Sequence, residues 1–162
     1  MKKLLIVLFL LYCAPVFSQT LPEFDKVKLN SESDCQAADP VVLTATDYIL
    51  ATPFDKSSTD QKKALRFILK WIEGTPDYTF DIEEKLGSIF QENQALAGIY
   101  MACMAKFCLE NKAASKSAIA VKVNSVVMML KYAEKPGNNI EMTDSLKRLI
   151  DANNKGELSS EL

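Results

Sequence analysis

Between Lys63 and Trp71 the chain places three cations and two aromatic rings at helical spacing. At about 100° per residue, Lys63, Arg66 and Lys70 form a basic stripe, while Phe67 and Trp71, one turn apart, form a separate aromatic face. Leu65, Ile68, Leu69 and Ile72 make a third, aliphatic stripe. Rings flanked by cations can grip a protein partner or an anionic ligand, since the rings supply contact area and the cations supply charge. Phe67, Trp71, Lys63, Arg66 and Lys70 are therefore the candidate binding residues. The same pattern also arises in a helix covered on two sides by neighbours with its lysines in solvent.

Two other groups carry potential chemistry. Met101, Met104 and Cys108 fall within about 60° of one another on a helical wheel. Such a thioether–thiolate stripe suits a soft ion such as Cu(I), with Met128 or Met129 as a further ligand. Met and free Cys are equally ordinary core residues. The acids Asp77, Asp81, Glu83 and Glu84 lie beside Tyr78 and Phe80. Paired carboxylates hydrolyse glycosides when burial raises one pKa. They also solvate loops, and Asp81 stands where an acid favours the first turn of a helix.

Absences weigh against catalysis. The 162 residues contain no His, which removes Ser-His and Cys-His chemistry and His-ligated zinc. No Ser is followed by Lys three residues later, and no G-x-S-x-G elbow occurs. The closest glycines, Gly87 and Gly98, are too far apart for a phosphate-cradling loop. The expectation is a non-enzyme with no cofactor and no metal. A soft-metal carrier or sensor and a carboxylate-based hydrolase are the alternatives.

The elements that must position these residues are helical. Asp39, as N-cap, and Pro40 open a helix to Ala51, before Pro53. Ser57 and Asp60 have capping-box spacing for a helix over about Thr59–Glu73, stopped by Gly74. A short helix over Ile82–Phe90 and an almost wholly apolar one over Gln94–Glu110 follow; a helix apolar all round belongs at the centre of a bundle. Gly98, Ala102 and Ala105 let a neighbour approach, with the next helix, Ser115–Glu134, as the expected partner. That helix has two apolar sides, Ile119, Val123, Val126 and Leu130 on one and Val121, Met128 and Tyr132 on the other. Thr143 caps a last helix to about Asn153. With no convincing strand pair, the fold class is all-α: a compact bundle of about five or six helices over 39–155. Residues 19–38 form a short extended lead-in and 156–162 a tail. A single domain of this size buries roughly 68–70% of its unfolded surface, so its core needs no disulfide or metal.

The N-terminus carries an address. Lys2 and Lys3 precede the apolar run Leu4–Ala14, and Val16-Phe17-Ser18 supplies a cleavage site, so residues 1–18 read as a signal peptide cut after Ser18. The run is well short of the roughly 20 residues that span a bilayer, which leaves no stable membrane anchor after cleavage. A lipoprotein would use Cys13, but Tyr12 stands where a small residue is needed. The expected location is periplasmic or secreted. Loss of Lys2 and Lys3 takes the 19 basic residues to 17 against 21 acids, a net charge of −4. Such a chain has no footprint for nucleic acid, and its partner is an unknown protein or small ligand.

Export also bears on the cysteines, because disulfides persist in oxidising compartments. With Cys13 removed, Cys35, Cys103 and Cys108 remain. Cys103 and Cys108 point about 140° apart on one helix and cannot pair with each other. The candidate disulfide is Cys35 with Cys103 or Cys108; three buried free thiols is the other outcome.

The signal ending in Phe17-Ser18-Gln19, followed by a small helical domain, resembles the many small uncharacterised exported proteins of Bacteroidetes-type bacteria. The resemblance implies export and carries no catalytic residue and no ligand.

Overall fold

The computed structural model describes residues 21–80 and 84–162. Residues 1–18, read above as a signal peptide, lie with Cys13 outside the described residues, as do Asp81 and Glu83. Among the described residues are eight α-helices and no strand. They are α1 (Glu32–Ala37), α2 (Asp39–Ala51), α3 (Thr59–Gly74), α4 (Glu84–Glu92), α5 (Gln94–Glu110), α6 (Ala118–Ala133), α7 (Asp144–Lys155) and α8 (Leu158–Glu161), with single 3-10 turns at Phe24–Lys26, Ala114–Lys116 and Pro136–Asn138. The chain is all-helical, with more and shorter helices than expected.

Side chains start four of the long helices. Ser58, Asn93, Ser117 and Thr143 each accept from a backbone N–H of the first turn. Each such cap is worth about 1 kcal/mol. Two starts differ from expectation. Ser57 does not cap α3, because its N–H and hydroxyl both donate to Asp55 Oδ1, at 2.8 and 2.6 Å. Asp39 sits inside α2 instead of capping it, because α1 runs into α2 through Ala38, itself in right-handed helical backbone.

The apolar α5 packs against α2, α3, α4 and α6. Its Leu96, Ile99, Tyr100 and Met104 are buried, as are Ile49 of α2, Ile68 of α3 and Leu130 of α6. Gly98 faces α3 and not α6, since a Cβ there would stand 3.1 Å from Leu65 Cδ1. Ile119 drops out of the apolar stripe expected of α6: it is 68% exposed, on the rim of a shallow hollow beside Tyr100 and Met104.

Both flanks of the bundle are folded. Ser31 caps α1 by accepting from the Asp34 N–H, while Asp34 Oδ2 accepts from the Asn30 N–H. The lead-in expected to be extended therefore contains a helix and a 3-10 turn. Its anchors are Phe24 and Leu29, both buried, with the Phe24 ring stacked on Phe67 at 5.2 Å between centroids. At the other end, Leu158 of α8 is buried, so the expected tail also packs on the bundle.

The connection from α2 to α3 is tightly braced. Gln61 is buried; its Oε1 accepts from the Asp55 N–H, and its Nε2 donates to the Pro53 carbonyl and to Thr52 Oγ1. Tyr132 donates its hydroxyl to the Thr52 carbonyl at 2.8 Å, and the Phe54 N–H donates to the Asn138 carbonyl at 3.1 Å.

Cys35, Cys103 and Cys108 are all buried and free, so the candidate bond from Cys35 to Cys103 or Cys108 is absent and the other outcome, three buried free thiols, is the one found. Cys35 Sγ is committed elsewhere: it lies against the last residue of α3, where a Cβ on Gly74 would come within 2.9 Å of it. Gly74→Ala should therefore lower stability by about 1–3 kcal/mol through overpacking. Cys35→Ala in the same chain should relieve most of that loss. Urea unfolding of the two single variants and the double variant measures the coupling, and strictly additive effects would show that the sulfur does not press on Gly74.

Candidate functional site

Helix α3 carries the candidate binding residues, and the structure rotates their roles. The face turned to the core holds Ala64, Phe67, Ile68 and Trp71, all buried, while Leu69 of the expected aliphatic stripe is 37% exposed. Trp71 is fully buried and donates its indole N–H to the Cys35 carbonyl at 3.0 Å. Its ring lies against Tyr78 and Phe80, with centroids 5.8 and 6.1 Å away. Trp71 is thus a core residue and leaves the set expected to grip a partner. The physical reason is the helical period: rings four residues apart fall on one stripe, and here Phe24, α1 and the segment after α3 cover that stripe.

The other four residues stay together. Lys63, Arg66, Phe67 and Lys70 line one groove with Phe24, Asp25, Val27 and Leu29 of the lead-in, enclosing about 240 Å³. The stacked rings of Phe24 and Phe67 floor it, and the three cations stand exposed along one side. Lys63 Nζ is 3.7 Å from Asp25 Oδ2, across the end of the groove. Among the described residues, Arg66 and Lys70 form no ion pair with any acid. Beyond Lys63 a second hollow of about 330 Å³ continues between Pro22, Glu23, Asp25, Lys26 and Asp60, where Glu23 pairs with Lys26 and the charges are mixed.

Phe24, Val27 and Leu29 were not expected to belong to a site. The loose alternation from Glu23 to Leu29 groups Val27 with Leu29 but sets Phe24 on the other side, and the 3-10 turn at Phe24–Lys26 is what brings it round. Nothing in the spacing indicates which helix this short strap lies on.

Comparison with known families, curated proteins and solved structures finds no match. The functional reading of the groove therefore rests on its geometry.

The remaining candidates take different positions. Met104 and Cys108 are buried, and burial pushes the Cys108 thiol up to about 11, against the thiolate that a soft metal needs. Burial also raises the Cys103 thiol. Among the described residues no three His, Cys, Asp or Glu side chains gather as metal ligands. Of the acidic loop, Asp81 and Glu83 lie outside the described residues, and the side chain of Glu84 is not described. Asp77 accepts twice from the Gln36 amide, at 3.0 and 3.1 Å, which ties the loop back to α1.

Asp39 is a titratable neighbour that sequence reasoning treated only as a cap. Its Oδ1 is buried with no hydrogen-bond partner. Burial raises its pKa above the ordinary 3.8; the Lys112 ammonium and the Trp71 indole pull it down, and Asp77 adds to the rise. A carboxyl that holds its proton more tightly when folded favours the fold at low pH, and that contribution is lost as pH rises from 3.8 through the folded-state pKa. Asp39→Asn should therefore stabilise the protein at neutral pH, with the gain vanishing below about pH 3.8. Urea midpoints of the two proteins across that range decide it; a pH-independent difference would mean that Asp39 titrates alike in both states.

Proposed function

We propose that this chain is an exported, non-catalytic interaction module that binds a protein or small ligand through the groove between α3 and the lead-in. The observation that carries the reading is the convergence of Lys63, Arg66, Phe67 and Lys70 with Phe24, Val27 and Leu29 around one hollow. Apolar floors with a few charged groups at the edge are the usual make-up of ligand sites. Both walls are anchored. Helix α3 is anchored in the core by Trp71, and the lead-in is pinned by the Phe24–Phe67 stack and the capped α1.

Export is supported by Lys2 and Lys3, the apolar run Leu4–Ala14 and the Val16-Phe17-Ser18 cleavage site. The resemblance to exported proteins of Bacteroidetes-type bacteria points the same way. No helix of the described residues is long and apolar enough to cross a membrane. The chain is read as periplasmic or secreted.

The groove reading is tested by amide NMR. Small aliphatic and aromatic probes should move the resonances of residues 24–29 and 63–70 together, in a saturable manner. Shifts confined to other faces, such as the hollow between Phe54, Gln61 and Asn139, would remove the groove as the site. The same exported sample should give an intact mass beginning at Gln19 with three free thiols. A mass that retains Met1 would overturn the export reading.

A further inference from the structure

We infer that the groove takes a single-headed amphiphilic carboxylate: a small ligand whose anionic group sits between Arg66 and Lys70 while its aliphatic body lies on Val27, Leu29 and Phe67. This rests on the groove being the binding site and adds the class of ligand.

The charge pattern selects the head group. Lys63 already faces Asp25 at 3.7 Å, whereas Arg66 and Lys70 pair with no acid among the described residues. Side chains four apart on a helix are neighbours, with Cβ atoms about 5–6 Å apart, so these two cations can close on one anionic group. The planar guanidinium of Arg66 matches a carboxylate through two parallel hydrogen bonds, with Lys70 adding a point charge.

The apolar part of the lining selects the body. Val27 is half-buried and supplies apolar surface between the cations and the more deeply buried Phe67 and Leu29, so the lining is a near-even mix of hydrocarbon and polar groups, as an amphiphile requires. A volume of about 240 Å³ lies just under the roughly 300–1,000 Å³ of drug-sized sites, which fits a short chain.

The far end offers the main competitor no free cation. An acidic peptide laid along the groove would carry its further carboxylates past Lys63 to a hollow whose two lysines, Lys63 and Lys26, already face Asp25 and Glu23, with Asp60 beside them. A ligand with one charge at one end needs no cation there.

The test uses octanoate, octanol, octyltrimethylammonium and a glutamate-rich peptide as probes of the full exported chain, read by amide NMR. Octanoate should bind saturably at residues 27–29 and 66–70, and octanol about tenfold more weakly, the effect of one charge-assisted contact. The double variant Arg66→Gln, Lys70→Gln should bring octanoate down to the affinity of octanol, with an unchanged melting temperature because both side chains are exposed. Val27→Trp, which fills the groove, should abolish binding of both. Equal affinity for octanoate and octanol in the unsubstituted protein would overturn the carboxylate assignment and leave the groove a binding site. Tighter binding of the peptide, or of the cationic probe, would overturn the ligand class in favour of another partner. No saturable shift with any probe would remove the groove itself.

Discussion

The indole of Trp71 is the contact on which the arrangement depends. A fully buried N–H must find an acceptor, and here that acceptor is the Cys35 carbonyl, 36 residues away in α1. One hydrogen bond thereby joins the core helix α3 to a helix of only six residues that could not persist alone. The same ring holds Tyr78 and Phe80 of the segment leaving α3. Truncating a buried Trp typically costs about 3–5 kcal/mol, and here the loss would also leave the Cys35 carbonyl with only the Ala38 N–H as donor.

Once α1 is fixed, the residues before it have little freedom. Asn30 is tied to Asp34, Leu29 and Phe24 are buried, and the strap between them must lie along α3. The groove is the space left because Val27 and the cationic stripe do not quite meet. Its existence thus follows from core packing on one side of α3, and its chemistry from the exposed residues on the other. Phe67 belongs to both, buried among core side chains and stacked on Phe24 at the groove floor.

Periodicity and capping made the long helices legible. The apolar circumference of α5 marks it as central, and Thr143 caps α7 as its spacing indicates, while the left-handed Gly156 that ends it two residues later than expected went unread. The short pieces were not legible. In α1 the Ser31–Asp34 cap was present, but no apolar repeat could develop over six residues. For the site, the sequence showed which residues of α3 share a face without showing which face turns inward. Phe67 and Trp71 satisfy an outward aromatic grip and an inward core stripe equally well, and only the neighbours decide. The cysteines illustrate the same limit: spacing excluded one pair, whereas the approach of Cys35 to Gly74 is visible only in three dimensions.

The braced connection between α2 and α3 has a consequence for the order in which the chain assembles. Gln61 can make its bonds to Thr52, Pro53 and Asp55 as soon as α3 forms, because they span at most nine residues. The bond from Tyr132 to Thr52 spans 80 residues, and Phe54 waits in the same way for Asn138. Contacts of such separation close late, after the entropy of the intervening chain has been lost. The turn over Thr52–Asp55 is thus held twice, by local bonds from its own helix and by long-range bonds that cost more chain entropy to close.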